Sequence, residues 1–250
     1  MDLQLKGRTA LVTGASVGIG NAIAKTLAAE GVKMAVVARR RELLEKLAAE
    51  IVAAGGTAPA IIVADMMDEA SPLRIRDEAL AALGSVDILV NCAGASKPLP
   101  VEAGDDKWDE AMTLNFTRVR QLTHALLPQM RARGFGRIVN ITGKSEPDRL
   151  NAAFAAKAGI HAWSKGLSKE IGKQGVTVNC VAPGRIMSEQ IRRLYPEPER
   201  QALSDTEISV GRYGEPEDVA LMVAVLSSPR AAYFTGVVIP VDGGLRRYQF

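Results

Sequence analysis

The chain has 250 residues, 47% of them apolar and 24% charged, the balance of an ordinary globular protein rather than a disordered one. Its 31 Lys and Arg against 28 Asp and Glu leave a net charge of +3, and aromatics are only 4%. A basic nucleic-acid footprint and stacking platforms are therefore excluded.

The elements are predicted in chain order from the alternation of short β-rich apolar runs with longer helical patterns. A strand is expected over Arg8–Thr13, a helix over Gly18–Glu30 and a strand over Lys33–Ala38. A helix over Arg41–Ala54 stops at Gly55-Gly56. Next come a strand over Ala58–Val63, a helix over Ser71–Leu83 and a strand over Val86–Val90. One long helix is expected across Lys107–Arg133, bent at Pro128. Strand Arg137–Thr142, helix Ala152–Lys173, strand Thr177–Ala182, helix Pro216–Leu226 and strand Val237–Val241 complete the series. The strands are continuous apolar runs, as in strands covered on both faces. The expected fold is α/β: one Rossmann-type domain over residues 1–250, a doubly wound parallel sheet of about seven strands with helices on both faces. Pro183–Arg212 reads as irregular, and residues 184–212 are expected to form a lid over a ligand crevice.

Two cysteines, Cys92 and Cys180, lack metal-ligand spacing and fit buried thiols in a reducing compartment. No run reaches the roughly 18 apolar residues of a membrane span, and the first residues lack a basic leader with a cleavage site. A cytoplasmic protein without metal, membrane or nucleic-acid partner is expected.

The segment from Thr13 to Gly20 follows the first strand and opens the first helix. Glycines there let backbone N–H groups approach a pyrophosphate resting on the positive helix end. Gly14, Ser16, Val17, Gly18, Ile19 and Gly20 are the expected contacts of a dinucleotide. About 20 residues beyond such glycines a carboxylate holds the ribose hydroxyls of NAD, but this strand ends Ala38-Arg39-Arg40-Arg41. Arg39 and Arg40 suit a 2′-phosphate instead. NADP is favoured over NAD.

The spacing Thr13-Gly14-x-x-x-Gly18-x-Gly20 resembles that of the short-chain dehydrogenase/reductase family, and within it the 3-oxoacyl-acyl-carrier-protein reductases. Further segments resemble the family's in order: Asn91-Cys92-Ala93-Gly94, Asn115 in MTLNF, Pro183-Gly184-Arg185-Ile186-Met187-Ser188, and TGVVIPVDGG. The resemblance implies cofactor contacts at Asp65, Met66, Asn91, Ala93, Gly94, Lys157, Pro183, Gly184, Ile186 and Ser188. It implies a homotetramer or homodimer through the helices over Lys107–Arg133 and Ala152–Lys173. The family's catalytic set is Asn, Ser, Tyr and Lys, the last two spaced Y-x-x-x-K. Asn115 and Lys157 match it. Ala153 stands where the tyrosine belongs, and Gly143 stands where the serine does. The chain's four tyrosines lie at positions 195, 213, 233 and 248.

Hydride transfer to a carbonyl needs a proton at the forming alkoxide. Loss of a positioned acid costs roughly 10²–10⁴ in rate, and loss of an oxyanion donor about 10²–10³. Stand-ins are at hand in Gly143–Arg149: Ser145 as the donor, and Lys144 to depress the proton affinity of Lys157. Glu146 and Asp148 are further proton carriers or binders of a cationic group. A solvated turn of mixed charge is the plainer alternative. His161, one turn after Lys157, reads as surface or a subunit contact with a relay as the alternative; Tyr195 is an alternative acid. Trp108 and Trp163 read as core or interface. The arginines of MSEQIRRLYPEPER read either as a clamp for an anionic substrate or as an exposed lid helix. Three functions remain: an NADP-preferring oxidoreductase acting on a small carbonyl or alcohol, a weak or inactive cofactor-binding sensor or interaction protein, or a different reaction on the same scaffold such as elimination or isomerisation.

Overall fold

The computed structural model describes residues 1–143, 149–188, 191–192 and 195–246. Seven strands form one parallel sheet in the order β3-β2-β1-β4-β5-β6-β7. They are β1 (Thr9–Thr13), β2 (Lys33–Ala38), β3 (Ala60–Val63), β4 (Ile88–Asn91), β5 (Gly136–Ile141), β6 (Val176–Pro183) and β7 (Val238–Val241). The chain builds outward from β1 to β3, then returns to lay β4 on the other side of β1. Strand order reverses there, so a crevice opens beyond the carboxyl ends of β1 and β4.

Helices α1 (Gly18–Ala29), α2 (Arg41–Ala53), α3 (Ser71–Leu83), α4 (Asp105–Met112), α5 (Arg118–Ala132) and α6 (Ala152–Ile171) follow in chain order. Helices α7 (Glu197–Glu207) and α8 (Pro216–Ser227) complete the described set. Because successive strand side chains point to opposite faces, β1 feeds two cores. Ala10 and Val12 join Ile23, Leu27, Leu44, Leu47 and Val223 beneath α1, α2 and α8. Leu11 joins Ile75, Leu122, Leu126 and Met130 beneath α3 and α5. A third, smaller cluster packs Val119, Ile160 and Cys180 with Phe116 and Trp163 between α5 and α6.

Three expectations are revised. The expected helix over Lys107–Arg133 is interrupted by one wide π-helical turn, Thr113–Thr117, while Pro128 lies inside α5. The Asn115 side chain holds that turn open: its Nδ2 donates to the Ala111 carbonyl at 2.9 Å. Such turns recur at functional sites. The stretch read as irregular contains α7, whose first turn follows Pro196 and carries Glu197 and Glu199 against the helix dipole. Strand β4 begins at Ile88 rather than Val86, where the buried Asp87 carboxylate instead accepts from the Thr9 N–H at 3.3 Å.

Candidate active site

Thr13 closes β1 and fixes the crevice floor. Its hydroxyl donates to the Val90 carbonyl at 3.3 Å and accepts from the Cys92 and Ala93 N–H groups at 3.0 and 3.1 Å. Gly14 has φ +69°, and a Cβ on it would lie 2.8 Å from the Ala93 nitrogen. A Cβ on Gly20 would run into the Gly14 carbonyl oxygen. Both glycines are thus required by close backbone approach. The Ala15 N–H donates to the Val37 carbonyl at 3.2 Å, tying the turn to β2. Helix α1 starts from Val17, which is extended and exposed, with no side-chain cap and no acidic residue in the first turn. Ser16, Gly18 and Ile19 complete the turn. Its first N–H groups therefore face the crevice end as orphan donors, a fitting seat for a diphosphate.

Arg39 and Arg40 are exposed just beyond β2. Arg39 Nη1 lies 3.9 Å from Asp65 Oδ2, a loose surface pair. Asp65 Oδ1 accepts from the Met67 N–H at 2.9 Å. Met66 is buried, and its carbonyl accepts from Arg118 Nε at 3.1 Å. Arg118, which no motif marks, also donates to the Met67 carbonyl at 3.2 Å and so braces the loop after β3.

Asn91 is buried, its Nδ2 donating to Thr123 Oγ1 at 3.0 Å and Asn140 Oδ1 at 2.8 Å. Its amide thus faces the α5 layer, and Ala93 and Gly94 carry the chain past the crevice. Asn115 fastens that loop: Oδ1 accepts from the Ala95 N–H at 3.3 Å and Nδ2 donates to the Ala95 carbonyl at 3.1 Å. A Cβ on Gly94 would meet Asn115 Oδ1 at 2.8 Å.

At the end of β6, the Gly184 N–H donates to the Val241 carbonyl at 3.0 Å, and Pro183 pairs with Val241. Ile186 bridges to Gly214, and Ser188 Oγ accepts from the Ile191 N–H at 3.1 Å. Arg185 Nη2 donates to Glu207 Oε2 at 2.6 Å, and the Val210 N–H donates to the Gly243 carbonyl at 3.1 Å. Those bonds hold α7 and the segment after it near the carboxyl ends of β6 and β7. Tyr195 sits before α7, its carbonyl accepting from Arg200.

Beyond β5 the chemistry gathers around Thr142. Lys157 Nζ donates to the Thr142 carbonyl at 2.9 Å. His161 Nε2 lies 2.8 Å from Thr142 Oγ1, which itself donates to the Val181 carbonyl at 3.1 Å. Since that hydroxyl proton is committed, Thr142 Oγ1 accepts and His161 Nε2 donates. A cavity of about 300 Å³ opens here, lined by Trp108, Gly143, Arg149, Phe154, Lys157 and His161 among others. Burial pulls the Lys157 ammonium below its ordinary value. Burial likewise pushes the Cys92 thiol up to about 12, with Lys157 acting against it. An uncharged thiol cannot support the ammonium near neutrality, so Lys157 is a stronger acid than a surface lysine. Burial lowers the His161 imidazole too, with Arg246 and Lys157 adding repulsion.

Two expectations change at this cavity. Trp108 lines it rather than packing the core, and His161 faces it rather than lying as plain surface. Phe154 and Arg149 also line it. Arg149 ends the charged Gly143–Arg149 stretch expected at the pocket rim, whereas no motif marks Phe154, which only the start of α6 brings to the cavity. Trp163 meets Phe116 edge-on, ring centroids 6.4 Å apart and planes 72° to each other, as an aromatic packing residue would. Ala153 is 2% exposed, and its N–H is capped by Asn151 Oδ1 at 2.9 Å. A Cβ on Gly143 would only touch Lys157 Cδ at 3.6 Å, so steric crowding does not demand a glycine there. Lys144, Ser145, Glu146 and Asp148 lie outside the described residues. Among the described residues, no cluster is suited to a metal ion, and no helix is long and apolar enough to cross a membrane.

A family model described as enoyl-(acyl carrier protein) reductase matches residues 14–246. Nodulation protein G of Rhizobium sp. (strain N33) is 41% identical over 247 residues, covering 97% of this chain and 98% of its own. The 3-oxoacyl-[acyl-carrier-protein] reductase FabG of Pseudomonas aeruginosa is 38% identical over 248 residues, with 97% and 99% covered. Among solved structures, L-sorbose reductase from Gluconobacter frateurii, complexed with NADPH and L-sorbose, superposes with a TM-score of 0.94 at 29% identity, covering 99% of this chain and 100% of that one. The chain belongs to the short-chain dehydrogenase/reductase family.

Proposed function

We propose that the protein is an NADP-preferring oxidoreductase that exchanges hydride between the nicotinamide and a small carbonyl or alcohol, using an acid other than the family's tyrosine. The observation that carries this reading is the pairing of an uncapped, acid-free α1 start behind the glycine turn with Lys157 at the cavity beyond β5. NADP, when bound, supplies the hydride acceptor and donor. The α1 N–H groups bind its diphosphate, and Arg39 and Arg40 attract its 2′-phosphate, which the uncharged Ala38 leaves unopposed. Asp65, Met66, Ala93 and Gly94 frame the adenosine side, the backbone at Asn91 closing it from behind. Pro183, Gly184, Ile186 and Ser188 bound the nicotinamide side, and residues 184–212 cover the substrate. NAD fits less well, because no carboxylate ends β2 to take the ribose hydroxyls.

Lys157 is the proton carrier in this reading. One N–H is spent on the Thr142 carbonyl, and an ammonium has three to give. Burial eases loss of its proton to an alkoxide in the cavity. Asn115 positions the loop at Ala95 and so shapes the wall. Ser145 as oxyanion donor and Lys144 as modulator of Lys157 belong to the proposal on sequence grounds. A homotetramer or homodimer through α4–α5 and α6 is supported by the half-buried Phe116 and Trp163 beside the exposed His124.

The second reading, a coenzyme-binding sensor with little or no turnover, is favoured by Ala153 and Gly143 at the two vacated positions. Titration of the wild type and Arg39→Ala with NADPH and NADH, followed by a carbonyl panel, separates them. The expected result is NADPH tighter by about tenfold or more, the scale of one charge-assisted bond pair, with most of that preference lost in Arg39→Ala. Equal affinities in the wild type overturn the NADP assignment. Tight binding without turnover across the panel selects the sensor.

A further inference from the structure

The cavity beyond β5 has an unusual hydrogen-bond inventory. Its described polar side chains include Arg149, Lys157, His161 and Trp108. Arg and Lys are donors without acceptor capacity, and an indole N–H is a donor only. His161 Nε2 is committed as a donor to Thr142, which leaves its Nδ1 as a neutral acceptor; no ionised acceptor comes from these side chains. Asn151, the remaining amide, is spoken for at both ends: Nδ2 donates to Ser96 Oγ at 2.9 Å and Oδ1 accepts from the Ala153 N–H. No Asp or Glu among the described residues lines the cavity, and Arg149 makes no ion pair with a described residue. Gly143 and Ala153 have no hydroxyl to offer as an acceptor. Against these cations stand apolar walls from Leu150, Phe154 and Ala158.

From this inventory we infer that the cavity selects an acidic substrate, a carbonyl or hydroxy compound bearing a carboxylate or phosphate, with Arg149 as the group that recognises the anion. A neutral sugar or ketone would leave donors of Arg149 without an ionised partner, whereas a carboxylate can take the guanidinium fork bidentately. Lys157, which lies deeper and is tied to Thr142, is left for the reacting oxygen. The apolar walls accommodate the carbon chain between the two ends. The inference deepens the oxidoreductase reading and rests on it for the word substrate, but the anion preference itself does not require turnover.

The experiment is calorimetric titration of the full chain, with and without NADP⁺, using three probe pairs. These are 4-oxopentanoate, 2-oxobutanoate and phenylpyruvate, each against its methyl ester, with 4-aminobutan-2-one as a cationic control. At least one acid is expected to bind about tenfold or more tighter than its ester. Arg149→Gln is expected to bring that pair within about twofold while leaving coenzyme affinity and melting temperature unchanged, since Arg149 is exposed. Esters binding as well as acids, no acid binding at all, preference for the amine, or a preference that survives Arg149→Gln each overturns the inference. Failure of NADP⁺ to bind, with the anion preference intact, would overturn only the oxidoreductase reading.

Discussion

The glycine turn after β1 and the cavity beyond β5 lie at the same end of one sheet, yet they are specified differently. The first is built from backbone: Gly14 and Gly20 are there because any Cβ would strike Ala93 or Gly14, and Thr13 clamps the two strand ends with one hydroxyl. The second is built from side chains around Thr142, and position 143 has room for more than the glycine it holds. A backbone site cannot lose a residue without disturbing the strands that frame it. A side-chain site can be rewritten one residue at a time on an unchanged fold, which is how the chemistry of a family drifts while its coenzyme seat persists.

The largest effect should come from breaking the backbone half. Gly20→Ala is expected to cost about 1–3 kcal/mol in stability by overpacking and to weaken NADPH binding by at least about tenfold. Chemical denaturation and fluorescence titration measure the two losses, and wild-type values in both would erase the contrast between the regions. Next, the side-chain half should tolerate one restoration and resist the other. Gly143→Ser should keep wild-type stability, because its Cβ meets only ordinary van der Waals contacts. Ala153→Tyr should cost about 1–3 kcal/mol, since a phenol must enter where a methyl is already almost wholly covered, and should not by itself give ordinary reductase turnover. A large gain in rate from Ala153→Tyr alone would show that the cavity needed only its phenol.

The smallest effect sharpens the electrostatic side of the comparison. His161 has its proton affinity lowered below the ordinary 6.5, chiefly by burial. The unfolded chain therefore binds this proton more readily than the native one, and stability is full above about 6.5 and declines as pH falls below it. His124 is shifted in the same direction by burial and Arg120, so it contributes a parallel decline. His161→Gln should lose less melting temperature between pH 8 and pH 5 than the wild type, with a residue of the decline left by His124. An identical decline in both would mean that the buried imidazole is not the sensitive group.

Much of the fold was legible because its signals are local. The short apolar runs from Ala10 to Val12 and from Ile138 to Val139, alternating with longer helical patterns, read as strands covered on both faces, and all seven strands fall within about two residues of their expected positions. The wide turn at Thr113–Thr117 was not legible, because one extra residue hardly disturbs a helical pattern, and the carbonyl it frees is taken by a side chain, Asn115, that a pattern does not weigh. Helix α7 was only half legible: Pro and Glu make its stretch read as irregular, with a lid helix as one alternative for the segment ending at Arg200, though Pro196 followed by two acids is itself a start signal. At the candidate site, the glycines and Lys157 were readable from spacing. His161 was readable only as an alternative, one turn after Lys157; Trp108 and Phe154 were not, because their shared cavity brings α4 and α6 together across more than forty residues of chain.

The wide turn also governs orientation along the α4–α5 rod. Each residue added to an α-helix rotates the segment before it by about 100° relative to the segment after it. The Thr113–Thr117 turn thus sets the azimuth at which Trp108 is presented, independently of the phase by which Leu122 and Leu126 seat α5 on the sheet. Removing a single residue from the turn would leave α5 docked and swing the indole away from the cavity, making the turn a mechanical dial between a fixed scaffold and the shape of the wall that meets the ligand.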